Sequence, residues 1–422
     1  MITQRTPGIY GLFNVIDRQL HRAKRKLVAK VVSDQSIRKF EPTLLAEVDV
    51  FLHKLHHHAT VDDGDAGVNM SMLFSHLTMD VMGHLAFAHP LSLQTETRFR
   101  FMIQGSAAAN YYLNIAMQLS FLASLHILSY RWIRALLRGQ NYFEALDQMI
   151  KTQLEKSDKS KQDLLFMTDT MRVNEDTEQA VKEIRSEAIF FLTAGSDTTT
   201  ITLSALFFYL AQSPAAYQRL TQEVRSAFAQ EEDIRSSPEL SGCIFLRACI
   251  DEALRMNPPL PGTLWRQQVA SASKTEPLVI DGHLIPAGTE VGVNAYALHH
   301  NEEYFPDPFT FHPERWLAEA GEGAANRSAF IPFSIGARSC AGKSMAYTEI
   351  SLIVAKTLWH FDFELAAGGA GTLASSNWAG DPKDSRSPLQ GDAVFPMLDH
   401  FTAAQDGPFL RFRQRKGLPC TR

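Results

Sequence analysis

Residues 332–344 read PFSIGARSCAGKS, and how this stretch is understood decides the fold. Gly-Lys-Ser at 342–344 ends a glycine-containing run, as a phosphate-binding loop does. Such a loop places four residues between its first glycine and Gly-Lys-Ser. Here Ala337, Arg338, Ser339, Cys340 and Ala341 separate Gly336 from Gly342, so the register is off by one. Pro332 also makes IPFS a poor central strand to precede such a loop. A nucleophilic cysteine needs a nearby base to form its thiolate, and the histidines of this chain carry no protease signature. Taken alone, Cys340 reads as a buried structural thiol, since free cysteine is among the most buried residue types.

The surroundings of the cysteine point elsewhere. The full pattern is Phe333-x-x-Gly336-x-Arg338-x-Cys340-x-Gly342, followed by an apolar helix. A thiolate on haem iron is tuned by backbone N–H groups aimed at the sulfur, and glycines let the backbone come close. Phe333 can cover the sulfur, and Arg338 can neutralise a propionate. A cysteine at the start of a helix has its negative charge favoured by the helix dipole. The stretch resembles the cysteine-ligand loop of the cytochrome P450 family, haem-thiolate monooxygenases in which a cysteine holds the iron.

Composition is compatible with that resemblance and excludes other classes. The chain has 422 residues, 45% hydrophobic and 21% charged, with net charge −5. This is a packed globular protein with no nucleic-acid footprint. The cysteines, Cys243, Cys249, Cys340 and Cys420, form neither a disulfide framework nor a CxxC zinc pair. The N-terminal MITQRTPGIYGLFNVIDRQLHRAKRK is not a signal peptide. No apolar run is long enough to cross a membrane; Ile115–Tyr130 is the most apolar stretch and is broken by Gln118, Ser120 and His126.

Helical patterns dominate the first two-thirds: 17–32, 41–57, 69–88, an uninterrupted 178–212 stopped by Ser213-Pro214, then 214–228 and 242–256. The acidic turn DDGDAG at 62–67 lacks calcium-loop spacing. After Pro258, short strands are expected at 277–280 and 290–296, a helix at 349–359, a Gly/Ala/Ser-rich loop at 366–392 and a last strand at 409–413. The whole is mainly α with small β-sheets. The absence of βαβ alternation weakens a nucleotide-binding fold. The resemblance implies the cytochrome P450 fold, one haem domain over 1–422.

Further matches extend the resemblance. Glu252 and Arg255 in DEALRMNPP share a helix face, among residues that look buried, and FHPERW follows at 311–316. These resemble the family's Glu-x-x-Arg helix and Pro-Glu-Arg segment, which implies a buried triad of Glu252, Arg255 and Arg315 bracing the cysteine loop. AGSDTTT at 194–200 puts poor helix formers into the long helix. Side chains bonding back to carbonyls would kink it there. The segment resembles the family's oxygen-activation sequence, with Thr198 as the steering hydroxyl and Asp197 as the acid that feeds protons.

The resemblance also implies a propionate contact from an aromatic and an arginine four apart. His21 and Arg25 stand at that spacing, with His in place of the usual Trp. Arg266 resembles the arginine for the second propionate. Arg22, Lys24 and Lys26 are then expected to face outwards and attract an acidic reductase domain. The implied cofactor is haem b. The implied partners are an NADPH-dependent reductase and a small apolar substrate in a monomeric protein, with peripheral membrane contact on the cytosolic face of the endoplasmic reticulum, a cytoplasmic location being the alternative since no membrane-crossing helix is encoded.

PERW with GARSCAGKSMAYTE looks like filamentous-fungal members, many of which tailor secondary metabolites. A haem-thiolate enzyme of rearrangement or dehydration, and a haem-poor inactive fragment, are the competing readings. Eukaryotic-type members carry roughly a hundred residues of anchor, hinge, first helix and first strands before the His21 helix. Without those strands, 277–280 and 290–296 are expected to leave an open sheet edge and a breached channel. A start assigned to the wrong methionine is the simplest explanation, beside a shortened paralogue or a pocket closed in another way.

Overall fold

The computed structural model describes residues 10–60, 67–87, 90–119, 146, 148–149, 178–268, 278–318, 321, 325–366 and 394–415. The acidic turn after Thr60, the apolar stretch from Ser120 onward, the loop at 367–392 and Cys420 lie outside the described residues.

Eight helices carry the frame among these residues: α1 (Arg18–Val31), α2 (Asp34–Thr60), α3 (Met70–Phe87), α4 (Phe101–Gln118), α5 (Glu178–Gln212), α6 (Pro214–Ala227), α7 (Ile244–Met256) and α8 (Lys343–His360). Their ends follow local chemistry. The Asp17 carboxylate accepts from Leu20 N and caps α1, satisfying a backbone donor with no partner inside the helix. At Ser213-Pro214 the chain breaks, and Pro214 opens α6, where its missing N–H does no harm. The helix containing Glu349 starts earlier than expected, at Lys343, capped by Gly342.

The core lies around α5, which packs most closely on α3. Phe51 of α2, Phe74 of α3 and Phe207 of α5 follow one another at 5.5 and 5.2 Å between ring centres. Phe207 then meets Phe363 at 5.0 Å. The close approach of α3 and α5 depends on Gly195, since a Cβ there would lie 2.3 Å from Met82 Sδ.

The strands are short: β1 (Val68–Asn69), β2 (Arg266–Gln267), β3 (Leu278–Ile280), β4 (His283–Ile285), β5 (Glu290–Val291), β6 (Phe361–Leu365), β7 (Leu398–His400), β8 (Thr402–Ala404) and β9 (Phe409–Gln414). All pairings are antiparallel. β9 lies between β1 and β6, with Phe363 opposite Phe412, and β2 pairs with β5. The strand expected at 290–296 stops at Val291, because the Asn294 side chain accepts from Ala297 N and begins a helical turn, Ala295–His299. β3 pairs with β4, and Val279 and Leu284 are 56% and 66% exposed on this hairpin.

Candidate functional site

The cysteine loop is shaped by its backbone. Ile335 is extended, Gly336 adopts a left-handed φ of 72° and starts a 3-10 turn over Gly336–Arg338, a conformation that glycine enters without steric penalty. Cys340 N donates to Phe333 O at 2.8 Å and closes the loop. Phe333 lies against Tyr347 of α8, with ring centres 5.2 Å apart. Cys340 itself sits ahead of α8 rather than in its first turn, and it is exposed. Protein packed behind the sulfur pushes the thiol pKa up, while the Gly342 N–H and the charges of Arg25 and Lys343 pull the other way. A metal bound to the sulfur would deprotonate it outright.

Basic side chains converge on this loop from three elements. His21 and Arg25 come from α1, Arg338 from the loop and Arg266 from β2. Arg25 donates to Ser339 O, and Arg338 donates to Ile16 O at 3.5 Å. Burial lowers the His21 pKa, with Arg338 and Arg25 lowering it further. Burial and Arg266 likewise lower that of Arg338. Among the described residues, the hydrogen bonds of the three arginines go to carbonyls: Arg266, too, donates to Leu264 O and Trp265 O, at 3.3 and 2.9 Å. None has a carboxylate partner there. Clustered positive charge without a protein anion suits an anionic ligand. An open sulfur flanked by such a cluster fits haem, whose iron takes a thiolate and whose propionates take cations.

Lys24 departs from expectation. It does not face outwards with Arg22 and Lys26 but is buried, its Nζ 3.0 Å from Glu187 Oε1 on α5. Both Glu187 oxygens also accept from Leu12 N at 2.9 Å. The pair therefore fastens α1 and the turn before it to the long helix.

The triad residues meet in one buried cluster. Arg255 donates to both Glu252 oxygens at 2.8 and 2.9 Å, and Arg315 Nε donates to Oε1 at 3.0 Å. Burial would raise the Glu252 pKa, but the Arg255 charge and its hydrogen bond, then Arg315, hold it below the usual value. Sequence reasoning missed two members. Trp316 Nε1 donates to Oε2 at 2.9 Å, and His312 N donates to Oε1 at 3.0 Å. Arg255 also reaches the carbonyls of His299 and Pro308 at 2.9 and 2.7 Å. His299 Nε2 in turn accepts from Ile331 N at 2.9 Å. The cluster thus reaches the chain immediately before the cysteine loop.

The AGSDTTT segment does not interrupt α5, which runs unbroken through it. Hydroxyls in it and just after it bond back to carbonyls one turn earlier: Ser196 to Leu192 at 2.6 Å, Thr198 to Ala194 at 2.7 Å and, beyond it, Thr202 to Thr198 at 2.9 Å. Phe190, Ala194, Asp197 and Thr198 lie on one half-accessible face, while Ser196, Thr199 and Thr200 are buried. The Asp197 carboxylate accepts from Ser106 Oγ and Asn110 Nδ2, each at 2.7 Å. Burial pushes its pKa up to about 6 against those bonds. Neither Ser106 nor Asn110 belongs to a recognisable sequence pattern, so nothing in the chain announced them.

Two surface hollows lie elsewhere. The larger, about 390 Å³, is lined by Leu45, Asp49, Glu231, Arg235 and Lys356. Lys356 there already binds Asp49 and Glu231 at 2.9 and 2.7 Å. Neither hollow is lined by Cys340 or the arginine cluster, so the site rests on the loop geometry.

Comparison with known proteins agrees with the fold. The family model "Cytochrome P450" matches residues 2–377. A cytochrome P450 monooxygenase of Gibberella zeae is 33% identical over 414 residues, covering 97% of this chain and 92% of that protein. The cytochrome P450 monooxygenase poxM of Penicillium oxalicum is 32% identical, over 94% of this chain and 73% of its own length. The monooxygenase apf8 of Gibberella fujikuroi is 32% identical, over 89% of this chain and 100% of its own length. Among solved structures, the crystal structure of the cytochrome P450DA heme domain superposes with a TM-score of 0.69 at 20% identity, over 96% of this chain and 80% of that one. The fold and site define a haem-thiolate enzyme, and the chain belongs to the cytochrome P450 family, with haem as its cofactor.

Proposed function

We propose that residues 1–422 form one haem domain of a monooxygenase acting on a small apolar molecule, with Cys340 as the thiolate ligand. The observation that carries this reading is the meeting of an open cysteine sulfur with the His21 ring and with Arg25, Arg338 and Arg266, arginines without a carboxylate partner among the described residues. When bound, haem supplies the redox chemistry by which one atom of dioxygen enters the substrate and the other leaves as water, with two electrons and two protons consumed.

The chain's own residues have separable tasks. Gly342 N–H and the nearby cations stabilise charge on the Cys340 sulfur, and Phe333 shields the loop on its α8 side. His21 and the arginines bind the propionates. The Glu252–Arg255–Arg315 cluster fixes the chain leading into the loop. Asp197, its pKa raised to about 6, takes up and releases a proton close to neutral pH, and the Thr198 hydroxyl, now resting on Ala194 O, is the group that passes it on. Carboxyl pKa values near neutrality suit such transfer.

Electrons come from an NADPH-dependent reductase in this reading, drawn by exposed Arg22 and Lys26. The fungal relatives support a place in secondary metabolism, and the family supports a monomer at the cytosolic face of the endoplasmic reticulum. Among the described residues no helix is long and apolar enough to cross a membrane.

The test uses the haem-loaded protein with reductase and ethoxycoumarin as a surrogate substrate. Thr198→Ala is expected to keep NADPH consumption while product falls and hydrogen peroxide rises. An unchanged ratio of product to NADPH contradicts the role of Thr198.

A further inference from the structure

Helix α4 does more than pack beside α5. Asn110 spends its amide nitrogen on two acceptors, Asp197 Oδ2 at 2.7 Å and Thr402 Oγ1 of β8 at 2.6 Å. Ser106, one turn earlier, gives its hydroxyl to the same carboxylate oxygen at 2.7 Å and is fully buried. One turn after Asn110, Asn114 donates to Asp399 O at 2.8 Å, and the Tyr111 ring meets His400 at 5.0 Å. A single face of α4 is therefore tied to α5 and to the β7–β8 hairpin together. Ser196, beside Asp197, gives its hydroxyl to Leu192 O at 2.6 Å and also helps hold the Asp197 pKa down.

We propose that Asn110 and Ser106 are positioning residues for the site acid: they fix the Asp197 carboxylate to α4 and β8, leaving it without a hydrogen bond to Thr198. The proposal rests on the reading of Asp197 as the proton carrier for its functional meaning, though not for its geometry.

Two physical facts carry it. A carboxylate removed from water favours its neutral form, and donors aimed at it favour the charged form. Here the donors are neutral side chains, so the balance depends on hydrogen bonds rather than on a counter-charge. Titratable groups on neighbouring elements include His76, Asp80 and His84 of α3, Tyr111 of α4 and Asp399 and His400 of β7. His76 and Asp80 respond to Arg100, Lys54, Glu47 and His84, and His400 responds to Asp399. None of them figures among the influences on Asp197, which are burial, Ser106, Asn110 and Ser196.

The experiment follows the infrared band of the protonated carboxyl against pH in the haem-loaded protein, with Asp197→Asn as the blank that assigns it. Asn110→Leu is expected to move the ionisation midpoint upward by about one to two pH units, the equivalent of one hydrogen bond to a charged group. Ser106→Ala, a smaller change and safer for folding, is expected to move it in the same direction. Midpoints unchanged in both variants overturn the proposal. The pH profile of ethoxycoumarin turnover separates the two readings. A profile that follows the shifted midpoint supports both. A shifted midpoint with an unmoved profile supports the positioning role and removes Asp197 from proton delivery.

Discussion

Lys24 Nζ and Glu187 Oε1 lie 3.0 Å apart with both side chains out of solvent. The two residues are far apart in sequence and join α1 to α5. Lys24 sits between His21 and Arg25 on the helix that supplies two of the basic groups around Cys340. Removing one partner of a buried ion pair costs about 3–5 kcal/mol. Glu187→Ala also strips Leu12 N of its acceptor. It is expected to lower the urea midpoint and weaken haem retention, with Lys24→Arg retaining much of both. Haem loss no faster than in the unaltered protein would show that α1 is held in place without this pair.

Glu252 is the centre of the second buried charge cluster, receiving four protein groups: Arg255, Arg315, Trp316 and His312 N. Glu252→Ala strands two arginines and is expected to abolish haem incorporation, measured as haem per protein after purification. Arg315→Leu leaves the Arg255 pair intact and is expected to reduce haem content only partly. Normal haem content in Glu252→Ala would show that the cluster does not govern the cysteine loop.

Glu349 on α8 is buried with one carboxyl oxygen lacking a hydrogen-bond partner, and burial raises its pKa from 4.5 to about 8. Between those values the folded protein holds a proton that the unfolded chain releases. The stability contribution is complete below the lower value and is lost as pH rises through the upper one, at about 1.4 kcal/mol per pH unit. Glu349→Gln removes this ionisation. Its urea midpoint, relative to the unaltered protein, is expected to improve from pH 5 to pH 8 on the order of the linkage slope. A difference that stays flat with pH would mean that Glu349 titrates normally.

Much of this molecule is legible in its sequence, and the limits have physical causes. α5 is announced by an unbroken apolar pattern ending at Ser213-Pro214, and the cysteine loop by fixed spacing that only one chemistry requires. Glu252 and Arg255 are neighbours on one helix turn, so their pairing is local information. Lys24 is different. A lysine in a basic run looks solvent-facing, and nothing near it discloses that Glu187 waits on another helix. Ser106 and Asn110 are ordinary helix residues until α4 meets α5. The 290–296 segment alternates like a strand, yet the Asn294 cap converts its end into a helical turn. AGSDTTT lacks good helix formers, yet α5 runs on through it with Gly195 packed close to Met82 of α3.

The central claim is that Cys340 is a thiolate ligand to haem iron, and the carbon monoxide difference spectrum of the reduced protein tests it most directly. The haem-loaded protein is predicted to show the thiolate-type band, and Cys340→Ser is predicted to lose it. A band of the neutral-ligand type in the unaltered protein, or a thiolate-type band that survives in Cys340→Ser, would contradict the account.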